Sequence, residues 1–346
     1  MNRVGRMIAA AMQDRTIRLF DARNCEEMQK MEDGFLCTSI AFSPKGDILA
    51  TGGVDRVVKL WDIRSGTQVA KMEGHTYPVL CLSFSPAGDR LVSSSGDTTL
   101  IVWDVNNRSR LQQLKGHSLY VQACEWDPRG DRIVSGGVDS TICVWNPNTG
   151  KMIDKLTEHR TAVHTLRFSL DGSRLASGSS DCNVILWDTS GQSLKVDRTL
   201  LGHTGGVRSV AFSTDGTYLA TGSSDKEILV WSTDRYAVEG RGSTASEIDG
   251  VEWFPNESAF LTCDGTGAII RWEVADFSAT LAPFQSLLKE IEADTGLVHR
   301  EEFIKKFEQL RSAYDEEMLR EKRLFYVVWQ CKKALGLLKG TARVQT

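Results

Sequence analysis

The sequence predicts an all-β ring of repeated units followed by a helical extension, and three observations carry that prediction. Aromatic residues followed by a polar one recur at Phe20-Asp21, Trp61-Asp62, Trp103-Asp104, Trp145-Asn146, Trp187-Asp188, Trp231-Ser232 and Trp272-Glu273, at intervals of 41, 42, 42, 42, 44 and 41 residues. A fixed period in this range marks a repeat architecture rather than a set of unrelated domains. Between these pairs, short apolar runs alternate with turns rich in Gly, Ser, Thr and Asp, the chemistry of brief antiparallel strands. From Phe284 onward the apolar period changes to that of a helix.

Composition removes several alternatives. The chain has 346 residues, a net charge of −4 and 41% apolar residues, the balance of a globular protein. No apolar run approaches the roughly 20 residues needed to span a bilayer, and the opening MNRVGRMIAAAMQDR is interrupted too soon to serve as a signal peptide. The eight cysteines lie apart with no CxxC pair, which argues against a zinc site or disulfide framework and for reduced thiols inside a cell, in cytoplasm or nucleus. No basic cluster supplies the electrostatic footprint of a dedicated nucleic-acid binder, so nucleic acid is expected only indirectly.

Taken in order, the first unit opens part-way through. Residues 6 to 11 read as its second strand, 15 to 20 as its third and 26 to 31 as its outermost, with no innermost strand. A C-terminal segment supplying that strand, or a natural chain beginning earlier, fits better than an open ring, because an exposed strand edge promotes aggregation. The next five units each show four strands, as in Ala41-Phe42-Ser43-Pro44 and Ser83-Phe84-Ser85-Pro86, where the innermost strand ends before a Gly-containing turn. Trp126 and Trp253 take the core position held elsewhere by Phe84, Phe168 and Phe212. In the seventh unit, residues 275 to 281 are expected as the outer strand.

A second spacing joins polar residues. Asp55, Asp97, Asp139, Asp181 and Asp225 each precede their Trp by six residues, and Thr51, Ser93, Ser135, Ser177 and Thr221 precede those Asp by four. Histidines stand 22 residues before Asp in four units, three of them in Gly-His pairs. An indole N–H, a hydroxyl, an imidazole and a carboxylate can form one hydrogen-bonded chain that satisfies groups which burial would otherwise penalise. The sets are His75, Ser93, Asp97, Trp103; His117, Ser135, Asp139, Trp145; His159, Ser177, Asp181, Trp187; and His203, Thr221, Asp225, Trp231. Four copies of a Ser/Thr, His and Asp arrangement argue for scaffold rather than nucleophilic catalysis. The remaining units keep fragments: Asp33 stands at the His position of the Trp61 unit, Thr244 and Thr266 at the His and Asp positions of the Trp272 unit, and Ala10 and Phe20 in the first.

These Gly-His and Trp-Asp pairs resemble those of the WD-repeat family. The resemblance implies a seven-bladed β-propeller of four-stranded antiparallel blades, and a non-enzymatic scaffold for protein interaction within a multiprotein complex. It implies further that Tyr77, Leu119, Tyr120 and Arg160, in loops after the Gly-His position, lie where family members commonly meet partners. Trp61-Asp62-Ile63-Arg64 and Phe20-Asp21-Ala22-Arg23 are similar to the W-D-x-R boxes of substrate receptors for cullin-RING ubiquitin ligases. On that alternative, Arg23 and Arg64 dock the ligase adaptor.

The propeller is assigned residues 1–281 and the helical extension 282–346. A short helix is expected over 284–293 and a longer one from 297, where Phe303, Phe307, Leu310, Tyr314, Leu324, Val328, Cys331, Leu335 and Leu338 form an apolar stripe broken by Glu317 and Glu321. Such a stripe packs on the propeller, on a second copy or on a partner. No GxxxxGK[ST] or GxGxxG loop follows a strand and opens a helix, so no nucleotide site is read, and nothing requires a metal or other cofactor. His164 is placed near the central opening as a lone histidine without companion ligands.

Overall fold

Strand-forming runs of about six residues separated by turns cannot bury their apolar faces singly, and the chain solves this by radial repetition. The computed structural model describes residues 7–22, 24, 26–191, 193–255 and 258–274, together with 287, 304–306 and 308–309. Among the described residues, twenty-six strands form seven antiparallel sheets, the blades of a propeller. Blades 2 to 6, spanning residues 37–73, 79–115, 121–156, 163–201 and 207–243, have four strands each in sequential order. Blade 1 has three, Met7–Ala11, Thr16–Asp21 and Glu27–Glu32. No described residue supplies its innermost strand.

Blade 7 comprises Ile248–Trp253, Ala259–Asp264 and Ile269–Glu273. The outer strand expected over 275–281 lies outside the described residues. Chain contacts separate Met1–Glu273 from Val274–Thr346. In the second unit Leu287, 304–306 and 308–309 are α-helical, while the rest of the two expected helices lies outside the described residues.

The core sits between blades. One cluster joins Val134, Val144 and Leu156 of blade 4 to Leu166, Leu175 and Trp187 of blade 5, and another joins Ala50, Leu60 and Met72 of blade 2 to Leu82, Ile101 and Trp103 of blade 3. Close approach dictates glycine here. A Cβ on Gly116 would lie 2.9 Å from the Trp145 indole, so the Gly-His glycine is the space into which the closing Trp packs. Trp126 and Trp253 are buried, and Trp253 Nε1–H donates to Ala211 O at 2.8 Å.

Polar clasps add to this packing. Between blades 4 and 5, Arg132 Nη2–H donates to the fully buried Asp127 at 3.0 Å and to Thr189 O at 2.9 Å. In the central opening, Arg167 of blade 5 reaches Glu125 of blade 4 at 3.7 Å and Glu252 of blade 7 at 3.2 Å. Blades 1 and 7 meet through Ile8, Ala22 and Phe20 packed on Phe254, Ala259 and Leu261, which closes the ring by apolar contact.

Candidate interaction surface

Each of the four complete polar sets is one continuous chain across its blade. In blade 3, Trp103 Nε1–H donates to Ser93 Oγ at 2.7 Å, Ser93 lies 2.8 Å from His75 Nε2, and His75 Nδ1 lies 2.8 Å from Asp97. The corresponding distances are 2.8, 2.8 and 3.0 Å in blade 4, 2.9, 2.7 and 3.0 Å in blade 5, and 3.0, 2.8 and 2.9 Å in blade 6. With Nδ1 carrying the imidazole proton, every group in the chain is satisfied. The carboxylates also accept the backbone N–H of Thr76, Ser118, Arg160 and Thr204, tying the turn between second and third strands to the loop that enters the blade.

Electrostatics favour the ionised form of the four carboxylates and the neutral form of two of the imidazoles. Burial opposes ionisation of Asp97, yet hydrogen bonds from His75 and the Thr99 hydroxyl hold its carboxyl well below the usual carboxylate range. Asp139, Asp181 and Asp225 are lowered in the same way, their hydrogen bonds outweighing the burial that would raise them. Burial lowers His117 and His159 against the pull of their carboxylates. A neutral imidazole between a hydroxyl and a carboxylate is the catalytic pattern of serine hydrolases. Here each hydroxyl is itself buried and hydrogen-bonded to an indole, with no room for a substrate carbonyl.

The incomplete units differ from one another. In blade 2 the imidazole position is filled by Asp33, and a buried lysine that the spacing did not single out, Lys59, bridges Asp33 and Asp55, the latter at 2.7 Å. Thr51 donates to Asp33 at 3.0 Å and accepts from Trp61 Nε1–H at 3.0 Å. In blade 7, Trp272 Nε1–H donates to Thr262 at 2.8 Å, and Asp264 accepts from the Thr266 N–H and hydroxyl. In blade 1, Asp14 stays in the turn with Thr16 and Arg18, and the Thr16 hydroxyl leads in lowering it to about 2.

These networks fix the loops of one face, the one bearing the connections between blades. Tyr77 and Tyr120 leave it from neighbouring blades, their ring centroids 5.5 Å apart, and remain 47% and 44% exposed. Leu119 is exposed beside them. Three residues not picked out by the sequence join this face: Phe35, Leu36 and Val54 of blade 2 are exposed, and Val54 N–H donates to Leu36 O at 3.1 Å. The signal for Phe35 was its offset, since it follows Asp33 by two as Tyr77 follows His75 and Leu119 follows His117. The same offset holds Thr161, Gly205 and Ser246 in blades 5 to 7, so at this position the face is apolar over blades 2 to 4 and polar or bare over blades 5 to 7.

Arg160 stands apart from the aromatic pair. Its side chain is exposed over blade 5, beside Glu158, Val196 and Leu201. Arg64 is exposed in the turn closing blade 2, and Arg23 lies outside the described residues. His164 is half-buried between the inner strands of blades 4 and 5, within 3.2 Å of Gln122 Oε1 and 2.5 Å of Ser180 Oγ. Among the described residues no three His, Cys, Asp or Glu side chains form a metal-binding group.

The repeat grammar and the propeller converge with a family comparison. The model of the WD domain, G-beta repeat, matches residues 29–62, 66–104, 108–146, 150–188 and 194–232, more than half the chain. The chain belongs to the WD-repeat family. The five matched WD repeats each end one residue after their closing Trp, at Asp62, Asp104, Asn146, Asp188 and Ser232, while the units closed by Phe20 and Trp272, which depart furthest from the polar pattern, lie outside the match. No curated protein matches the chain. WD-repeat propellers are in general non-catalytic platforms for other proteins.

Proposed function

We propose that this WD-repeat protein is a non-enzymatic scaffold that grips a protein partner on the face over blades 2 to 4. The observation that carries the reading is the exposed Tyr77–Tyr120 pair, two rings from separate blades held 5.5 Å apart. Tyrosine brings large rigid contact area at low entropic cost, and clustered aromatics are the residues on which interface energy concentrates. Phe35, Leu36, Val54 and Leu119 extend the apolar area, and the rigid networks beneath hold the loops in register. The polar face over blades 5 to 7 lacks such anchors.

Quantitative affinity purification with the Tyr77→Ala/Tyr120→Ala double variant tests the reading. A partner retained by the wild type is expected to fall at least about tenfold with the variant, the order of two lost interface anchors, at an unchanged melting temperature. Recovery that stays the same overturns it. The ligase-receptor alternative rests on Arg23 and Arg64, and the Arg23→Ala/Arg64→Ala variant distinguishes it, because only that reading requires loss of a cullin adaptor.

A further inference from the structure

Neighbouring blades belong to separate sheets, so the inner strands of blades 3 and 4, Val79–Phe84 and Val121–Trp126, are joined by side chains rather than by a backbone ladder. Trp126 N–H donates to Ser83 Oγ at 3.0 Å. Two residues earlier on each strand, Cys81 Sγ lies 3.4 Å from the carbonyl oxygen of Cys124. The Cys81 and Cys124 thiols are also hydrogen-bonded to each other, and Cys124 Sγ reaches Val92 O, on the second strand of blade 3, at 3.8 Å. Both are free thiols, and they meet across the seam between the blades. At later joints the same two positions hold Ala123 and Leu166, Thr165 and Val210, and Ser209 and Val251, a small or hydroxyl residue against an aliphatic one. The joint of blades 3 and 4 departs from that rule with two sulfurs.

A third group completes the cluster. Ser94 pairs with Cys81 across blade 3, at a place where blades 2, 4, 5 and 6 have Gly52, Gly136, Gly178 and Gly222. Its hydroxyl is fully buried and, among the described residues, has no oxygen or nitrogen partner; it is directed at the Cys124 thiol. A buried hydroxyl left unpaired costs free energy, and a thiolate at Cys124 is an acceptor for it. The two thiols are unequal. The hydrogen bond with Cys124 lowers Cys81 below an ordinary thiol, whereas burial raises Cys124 well above one. Cys81 is also the less buried of the two. Because the thiolate is the nucleophile, Cys81 is the sulfur that meets an oxidant first, and Cys124 is placed to resolve the product.

We propose that Cys81 and Cys124 are a reversible dithiol–disulfide pair that staples blade 3 to blade 4 when hydrogen peroxide reaches the ring. The Cys81 thiolate attacks one peroxide oxygen, the O–O bond breaks and hydroxide leaves, which gives a sulfenic acid at Cys81. The Cys124 sulfur then attacks that sulfur, the S–O bond breaks, and the departing hydroxide takes the Cys124 thiol proton as water. In sum the two thiols give up two electrons and two protons, and the peroxide becomes two waters. A disulfide holds its Cα atoms within about 7 Å, so oxidation stops these two blades from parting. The stapled strands follow Tyr77 and Tyr120 within two residues, so the link also fixes the spacing of the aromatic pair. That last consequence rests on the partner reading; the disulfide itself does not.

The test treats the reduced full chain with hydrogen peroxide in native buffer, then digests it without reductant for mass spectrometry. The expected product is a cross-linked peptide pair containing Cys81 and Cys124, about 2 Da lighter than the two separate peptides and lost on addition of dithiothreitol. Cys182, on blade 5, does not join it. Cys124→Ser is expected to halt the reaction at a Cys81 sulfenic acid, trapped with dimedone, and Cys81→Ser to leave Cys124 a thiol. The melting temperatures of the reduced variants check that both fold.

Three results overturn the proposal: both residues recovered as thiols at a peroxide dose that oxidises Cys182, Cys81 oxidised in the wild type without a link to Cys124, or either one joined chiefly to another cysteine. The Tyr77→Ala/Tyr120→Ala chain is expected to form the link as the wild type does, so the partner reading and the disulfide fail separately.

Discussion

Asp139 accepts from His117, the Ser118 N–H and the Thr141 hydroxyl at once, so Asp139→Ala strands two donors of buried side chains and one exposed backbone N–H in one step. The expected loss is about 3 kcal/mol of unfolding free energy, measured by denaturant titration, with a preserved circular dichroism spectrum. A loss below about 1 kcal/mol shows that water replaces the carboxylate. The same side chains set the pH profile. His117 and His159 are held neutral in the fold, so the unfolded chain takes up protons first as pH falls below about 6.5, and stability starts to drop there. Asp97, Asp139, Asp181 and Asp225 have folded values below the unfolded one, so their contribution is complete above about pH 4 and is lost as pH falls further. The melting temperature should therefore be level between about pH 7 and 8 and fall in two stages below that range, the second steeper.

At the scale of the single blade, repetition made the sequence readable where a residue's partners lie at fixed offsets. The spacing of His75, Ser93, Asp97 and Trp103 already describes the hydrogen-bonded chain, because the antiparallel register of three adjacent strands converts sequence offset directly into proximity. Lys59 was not readable in this way. A lysine within a strand is ordinarily solvated, and its burial follows only from two carboxylates, Asp33 and Asp55, whose convergence depends on the strand register. Lys59→Met leaves both carboxylates uncompensated and is expected to cost about 3–5 kcal/mol. Blade 3 has His75 and Ile101 at the corresponding positions, so Asp33→His/Lys59→Ile rebuilds the common arrangement and should recover most of that loss. If the double variant is no more stable than Lys59→Met, blade 2 depends on its charged set for more than satisfying these groups.

Across the whole molecule, the number of blades followed from the period, but the closure did not. Ile8 and Ala22 meet Phe254, Ala259 and Leu261 from the opposite end of the chain, and no periodicity links residues so far apart. The aromatic face was half legible: Tyr77 and Tyr120 stood out as large residues in loops, while Phe35 needed the recognition that Asp33 occupies a histidine position. Closure also sets where the ring opens. Parting blades 4 and 5 requires separating two adjoining inner strands, a large apolar cluster and the Asp127–Arg132–Thr189 clasp. Among the described residues, parting blades 1 and 7 separates one small apolar cluster, with no inner strand between them. Local opening follows the least costly seam. Hydrogen exchange of the full chain should therefore show amides of Met7–Ala11 and Ala259–Asp264 exchanging at least about tenfold faster than those of Ile133–Gly137, a gap of roughly 1.4 kcal/mol in opening free energy. Equal protection of the two regions would mean that the ring opens only by global unfolding, and that the apolar seam is as strong as the strand-to-strand joints elsewhere.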